Sequence, residues 1–211
     1  MVEANTLHWI DPKLRKLLDH MRFPFADAEL QKQFPTLFEQ LCKAYTANEL
    51  IRELEKLSSP VAIEELAPLV QDADHLKKIL RYLNQHRHSF DTTIAPLIRA
   101  MDGRLYRPKN DNIFFSNDSL EIRLFKQFGL NFVDDKWAEN EIAELYRHVG
   151  VETLQPIHIL NVLRAFNWNP LANFFTLFPP IYDYFYRKRE ALDESMRVAI
   201  GKLPLCMTQN G

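Results

Sequence analysis

The chain has 211 residues, of which 46% are hydrophobic and 26% are charged, and its formal net charge is -2. These values are close to those of soluble globular proteins and exclude a disordered or fibrous chain. Because the 26 basic and 28 acidic residues are mixed along the sequence, neither half of the chain offers a general polyanion-binding field, and we expect no nucleic-acid partner.

The cysteine content and the N-terminal sequence point to a cytoplasmic protein. Cys42 and Cys206 are too few for a zinc cage, and Cys42 lies in an apolar helical pattern, where we expect a small buried side chain. The N-terminus lacks the basic and apolar regions of a secretory signal, and no stretch is suited to crossing a bilayer as one helix. We expect no cofactor, no metal and no integral membrane segment.

The placement of glycine and proline is typical of a helical protein. Four of the five glycines follow segments of helical periodicity, and three prolines follow cap-forming residues; these are Gly103, Gly129, Gly150 and Gly201, and the pairs Asp11-Pro12, Ser59-Pro60 and Asn169-Pro170. The predicted fold is mainly α, an irregular multi-helix bundle of about ten short helices. The predicted segments are 11–22, 26–45 with an offset at Pro35, 47–57, 60–70, 74–88, 92–101, 118–128, 135–149, 156–166, 170–178 and 180–200.

Two of these helices carry clear terminal signals. Thr46 and Glu49 form a capping box that opens the helix at 47–57. Asp118 caps the helix at 118–128, and Gly129 ends it.

Arg81 and His86 lie on the helix predicted at 74–88, separated by four residues. This spacing resembles the Arg-x4-6-His element of HEPN-type ribonucleases, which are all-helical. The resemblance implies that His86 is an acid or base and that Arg81 stabilises phosphate. That family usually has a polar residue directly after the arginine, where this chain has Tyr82. A basic, solvated helix end is the alternative interpretation.

A cluster of four cations comes next, and it contains Arg99, Arg104, Arg107 and Lys109. It could contact phosphate or form a solvated loop. Within it the helical pattern breaks, and the apolar segments Leu105-Tyr106 and Ile113-Phe114-Phe115, which flank a polar stretch, predict a small β-hairpin near 104–117. The break also predicts two subdomains, 1–103 and 104–211, that share one core.

Glu141, Glu144 and His148 share one face of the helix at 135–149. A carboxylate-bridged metal site needs Glu and His three residues apart and a second matching helix, so we interpret this face as solvent-exposed. No nucleophile elbow, phosphate-binding loop or dinucleotide fingerprint occurs in the sequence.

The most distinctive segment is 166–186, where nine of 21 residues are aromatic against 12% in the whole chain. Such a cluster either closes a core or anchors a partner, and the double proline Pro179-Pro180 predicts a corner between two helices. If the cluster docks a partner, the anchors should lie among Trp168, Phe174, Phe175, Phe178, Tyr182 and Tyr186. The basic residues that follow, Arg187, Lys188 and Arg189, could touch anionic lipid or an acidic partner, or they could face water.

From these patterns we expect a helical protein that works by protein–protein contact and not by catalysis. It would be an adaptor or chaperone-like subunit of a larger cytosolic assembly, with bacterial secretion machinery as one analogy. The alternatives are a metal-independent ribonuclease that uses Arg81 and His86, and a peripheral membrane-surface protein. The sequence leaves the oligomeric state open.

Overall fold

The computed structural model describes residues 7–21, 25–67, 69–90, 93–166 and 176–203. The part of the chain so described contains ten α-helices and small sheets, which confirms the predicted mainly α class. The helices are α1 (Pro12–Leu17), α2 (Ala28–Gln33), α3 (Pro35–Leu41), α4 (Ala47–Glu55), α5 (Ala73–Gln85), α6 (Ser119–Phe125), α7 (Asn140–His148), α8 (Pro156–Ala165), α9 (Phe178–Arg187) and α10 (Glu194–Gly201).

Short strands and 3-10 turns connect these helices. The strands are β1 (His8–Ile10), β2 (Lys43–Tyr45), β3 (Ile98–Arg99), β4 (Leu105–Tyr106), β5 (Ile113–Phe115), β6 (Asn131–Phe132) and β7 (Glu152–Thr153). The 3-10 helices are Ile63–Leu66, Arg87–Ser89, Lys126–Phe128 and Arg189–Ala191.

The local signals predicted from the sequence have the expected geometry at α4 and α6. The Thr46 N–H donates to the Glu49 carboxylate at 3.1 Å, as a capping box requires. Asp118 accepts the Leu120 N–H at 2.9 Å. Gly129 has a φ of 82°, in the left-handed region that glycine adopts without a Cβ penalty.

Several predicted helix boundaries are wrong. The segment predicted as a helix at 92–101 contains β3, because Pro96 lacks an N–H and pushes Ala95 out of the helical region. The segment at 60–70 retains only a 3-10 turn, because Val61 pairs with Leu105 as extended backbone. The 180–200 segment is divided into α9 and α10 by a 3-10 turn.

The two strands expected within 104–117 are present, but they do not pair with each other, which corrects the predicted hairpin. β4 pairs antiparallel with β3, with Ile98 opposite Tyr106. Gly103, at φ 84°, lies in the turn between them and not at a helix end. β5 instead lies between β6 and β7 and runs parallel to β7, with Phe114 opposite Glu152.

The chain forms two compact units, and each is discontinuous in sequence. Unit 1 comprises Met1–Ile113 and Val133–Val151, and unit 2 comprises Phe114–Phe132 and Glu152–Gly211. The boundary near residue 103, with segments 1–103 and 104–211, stays a prediction.

The core of unit 1 is built on α5 and α7. Buried apolar residues of both helices share this core, among them Leu80, Leu83 and Leu145. The buried Tyr146 hydroxyl accepts the Arg99 N–H at 3.2 Å. Parallel pairing of β1 with β2, with Trp9 opposite Ala44, connects the first strand of this unit to the residues that follow α3.

The core of unit 2 is an aromatic-rich cluster contributed by α6, α8, α9 and α10. The Phe125 and Tyr184 rings meet edge to face with centroids 4.9 Å apart, a favoured aromatic geometry. At the edge of this core Glu121, which is only 5% exposed, pairs with the Lys188 ammonium at 2.8 Å.

Candidate docking surface

The sequence of α2 and α3 sets where both helices begin and end. The Asp27 carboxylate accepts the N–H groups of Glu29 and Leu30 at 2.9 and 3.1 Å and so caps α2. Phe34 ends α2, and Pro35 begins α3, where a residue without an N–H costs no helical hydrogen bond. The offset predicted at Pro35 is confirmed.

The residue that fixes α2 to the body of unit 1 is polar. Gln31 is 9% exposed. Its amide nitrogen donates to the Ile10 carbonyl at 3.3 Å, and its amide oxygen accepts from Arg15 at 3.2 Å. Arg15 also donates to the Ala26 carbonyl. A satisfied buried amide therefore occupies the inward position where an amphipathic helix usually places an apolar side chain.

The outward positions of the two helices are apolar. Leu30 is 47% exposed, Phe34 52%, Leu37 49% and Leu41 59%. Leu37 and Leu41 are four residues apart on one side of α3, Leu30 lies on α2, and Phe34 is the residue between the two helices. None of the seven described residues of α3 is buried. We name these four side chains the α2–α3 face.

The α2–α3 face differs from the other exposed apolar residues of the described chain. Those residues are distributed among several loops and helices, as with Leu120 on α6, Ile157 on α8 and Val198 on α10. Singly exposed apolar residues are ordinary on a protein surface, whereas the four residues of the α2–α3 face lie within one short stretch of the chain, from Leu30 to Leu41.

Four exposed charged side chains lie on or next to these helices: Glu29, Lys32, Glu39 and Lys43. All four are exposed, and none forms an ion pair with another described residue. Beside α2 lies a groove of about 390 Å³ whose walls include Trp9, Ile10 and Pro35. The groove is lined by Gln31 and Lys32 of α2 and not by the four residues of the α2–α3 face.

The aromatic residues predicted as partner anchors have different environments. Trp168, Phe174 and Phe175 lie outside the described residues. Phe178 is buried in the core of unit 2, whereas Tyr182 and Tyr186 on α9 are 41% and 68% exposed. Partner contact through these two tyrosines stays a prediction. Pro179 and Pro180 lie in the first turn of α9, and the segment before that helix lies largely outside the described residues.

The basic residues that follow the aromatic run contact side chains of their own unit. Arg187 pairs with Asp183 at 3.0 Å, and Lys188 pairs with Glu121. The Arg189 guanidinium lies 4.7 Å from the centre of the Tyr186 ring. Binding of anionic lipid by these three cations stays a prediction.

The four cations of 99–109 are similarly dispersed. Arg99 lies 4.5 Å from the Trp137 ring centre, and Arg107 donates to the Leu57 carbonyl at 2.9 Å. The Lys109 stem lies against Gly150. The Arg104 side chain is exposed.

Arg81 lies on α5, and His86 directly follows the helix. The two side chains contact different residues. The Arg81 guanidinium pairs with Glu139 at 2.6 Å and lies 3.7 Å from Glu141. The His86 ring packs against Tyr82, with centroids 4.4 Å apart. The ribonuclease interpretation stays a prediction.

The predicted solvent-exposed face of α7 forms contacts with other parts of unit 1. Glu144 pairs with Arg87 at 3.1 Å, and the His148 ring nitrogen lies 2.8 Å from the Phe90 carbonyl. Among the described residues, no group of three or more His, Cys, Asp or Glu side chains is arranged to hold a metal ion. Cys42, at the end of α3, is half-buried with a free thiol and not in a helical core.

Comparison of the chain with protein-family models, with curated proteins and with solved structures finds no match. Within the described residues, no helix combines the length and apolar character needed to cross a bilayer.

Sequence reasoning missed the α2–α3 face. The positions 30, 34, 37 and 41 do show helical apolar periodicity, but periodicity alone does not say whether the apolar stripe faces a core or solvent. The informative signal is the weak apolar content of the opposite stripe, where Gln31 is the buried residue.

Proposed function

We propose that this protein is a non-enzymatic protein-binding module that docks a protein through the α2–α3 face. The observation that carries the proposal is the inverted arrangement of α2 and α3, in which an amide is buried and four large apolar side chains are exposed. An adaptor or chaperone-like role in a larger assembly is the finer form of this proposal.

The face could form the apolar centre of a larger contact. A half-exposed large apolar side chain presents about 100 Å², so four present roughly 400 Å², about half of what one partner buries in a specific interface. Burying that area would contribute about 10 kcal/mol at about 25 cal/mol per Å², which is comparable with the cost of association. A complex at this face would therefore need further contacts around the apolar residues.

Leu37 and Leu41 of α3 contribute little to the core of their own unit. Core residues stabilise a protein by leaving water, and half-exposed residues contribute only part of that gain. A leucine held at the surface also favours aggregation unless a partner covers it. Docking explains why Leu37 and Leu41 are apolar although neither is buried.

The test is affinity purification from the native host followed by identification of stoichiometric partners. The variant Leu37→Asp/Leu41→Asp should lose the partner, because it puts charge into the centre of the apolar contact. Its melting temperature should stay close to that of the parent, because neither side chain is buried.

Two variants serve as controls. Val198→Asp changes an exposed apolar residue of α10 and should retain the partner. Tyr182→Ala/Tyr186→Ala tests the α9 tyrosines separately. The proposal would be contradicted if Leu37→Asp/Leu41→Asp retains every partner. It would also be contradicted if a partner is lost only by the variant Tyr182→Ala/Tyr186→Ala.

A further inference from the structure

We propose that the groove beside α2 is a binding site for a small aromatic carboxylate. Residues of β1, α1 and α2 form its walls, among them Trp9, Arg15 and Gln31. A ligand at this site would be separate from protein docking, because the groove and the α2–α3 face share no residue.

A buried amide and a half-buried guanidinium form the polar part of the groove. The amide oxygen of Gln31, a residue that is 9% exposed, accepts from Nη1 of Arg15 at 3.2 Å. The same Nη1 atom donates to the Ala26 carbonyl. These two contacts fix the guanidinium before a ligand binds, which lowers the entropic cost of binding.

The guanidinium of Arg15 keeps one edge available for a ligand. Both of its contacts use Nη1, and within the described residues its Nε and Nη2 groups have no hydrogen-bond acceptor. No carboxylate in the described part of the chain forms an ion pair with Arg15. The parallel N–H groups of such an edge match the two oxygens of a carboxylate. The available edge therefore favours a carboxylate ligand.

The charges in the walls of the groove favour a monoanion. Two cations, Arg15 and Lys32, and one acid, Glu29, line the groove, which leaves a net charge of +1. A carboxylate balances this charge. A phosphate dianion would bring an additional negative charge close to Glu29, and like charges placed together select against a ligand.

The rest of the wall is apolar and includes an aromatic ring. Ile10, Pro12 and Pro35 supply aliphatic surface, and the half-buried Trp9 supplies an indole. A planar aromatic ring packs favourably against an indole. The volume of the groove, about 390 Å³, lies near the lower end of the range of about 300–1,000 Å³ that is usual for ligand sites. The groove therefore suits a small ring system that carries its carboxylate to Arg15.

The experiment is isothermal titration calorimetry of the purified full chain with 1-naphthoate as the probe. The parent should bind the probe saturably. The neutral analogue 1-naphthamide has the same rings and should bind about tenfold more weakly, because it cannot form a charge-assisted pair with Arg15. This comparison uses the unaltered protein, so it does not depend on the folding of a variant.

Two variants locate the bound probe, and a thermal transition of each shows that it is folded. Arg15→Lys keeps the positive charge without the planar fork and should bind 1-naphthoate about tenfold more weakly than the parent. Trp9→Leu removes the aromatic wall and should weaken the binding of both probes. The matched control Lys16→Met removes an exposed cation of α1 that does not line the groove, and it should bind as the parent does.

The inference is overturned if the parent does not bind 1-naphthoate saturably, or if 1-naphthamide binds as tightly as 1-naphthoate does. It is also overturned if folded Arg15→Lys and folded Trp9→Leu both bind 1-naphthoate as the parent does, because the probe then occupies another site. Leu37→Asp/Leu41→Asp should bind 1-naphthoate with parental affinity, whether or not this variant loses a protein partner. Failure of the groove and failure of the proposed function are thus distinguishable.

Discussion

At the scale of single residues, His75 links α5 to α1 through its neutral ring. Its Nε2 lies 2.7 Å from the Leu17 carbonyl, to which it donates, and its Nδ1 accepts the Gln71 N–H at 3.1 Å. The His20 ring lies edge-on at 4.9 Å. Protonation of Nδ1 would remove the acceptor that Gln71 uses. Burial lowers the pKa of His75 below its usual 6.5, and the nearby His20 and Lys78 act in the same direction, against the Leu17 carbonyl and Asp72.

The direction of this pKa shift predicts how stability depends on pH. The unfolded chain, with the higher pKa, binds the proton more readily than the folded chain, so protonation favours unfolding. The contribution is fully present well above the unfolded-state pKa of 6.5 and decreases as the pH falls through that value. The decrease ends below the folded-state pKa, where both states are protonated.

Urea unfolding between about pH 8 and pH 5 measures this dependence. The variant His75→Gln keeps a polar side chain without a titrating ring, and its stability should fall less with decreasing pH than that of the parent. His86→Gln, at the end of the same helix, is the matched control and should follow the parent. If the free energy of unfolding of His75→Gln depends on pH as strongly as that of the parent, the dependence comes from groups other than His75.

At the scale of elements, a buried carboxylate connects α6 to the end of α9 in unit 2. Glu121 accepts from the Ser116 hydroxyl at 2.7 Å and from Lys188 at 2.8 Å. Lys188→Met leaves the buried carboxylate with one partner, whereas Glu121→Gln leaves a lysine that is 40% exposed and can be hydrated. We therefore expect Lys188→Met to lower the free energy of unfolding by about 1 kcal/mol more than Glu121→Gln does. A buried carboxylate without its cation destabilises the fold more than an exposed ammonium without its carboxylate.

Denaturant titration of both variants and of their combination checks this asymmetry. The combined variant should lose less stability than the two single variants together, since the interaction they share is removed once. Arg52→Met, which removes the exposed pair with Glu49, is the control and should cost little. A larger loss in Glu121→Gln than in Lys188→Met would contradict the expectation.

The elements that could be predicted from the sequence are those whose causes are local. The Thr46–Glu49 capping box and the Asp118 cap with Gly129 each lie within a single helix and its ends. Strand pairing could not be predicted, because β5 pairs with β7 across the intervening helices α6 and α7. The face of α2 that is buried also depends on distant groups, since the hydrogen-bond partners of Gln31 belong to β1 and α1.

At the scale of the whole molecule, the discontinuous units predict that 1–103 does not fold alone. Helix α5 belongs to this segment, but α7, which covers it in the core of unit 1, comes from Val133–Val151. Isolated 1–103 would also lose its ion pairs with the Val133–Val151 part of unit 1, including Arg87–Glu144 and Arg99–Asp134. Isolated 1–103 would expose the apolar face of α5 and should give no cooperative thermal transition by circular dichroism.

The complementary experiment cleaves the folded full-length chain at one inserted protease site. A protease site inserted at Asp102-Gly103 lies in the exposed turn between β3 and β4, where insertions are tolerated. After cleavage the two pieces should still elute together, because β3–β4 pairing, the Val61–Leu105 bridge and the α5–α7 core hold them. They should separate only in denaturant. A cooperative transition in isolated 1–103, with native helicity and without the second piece, would show that this segment folds independently.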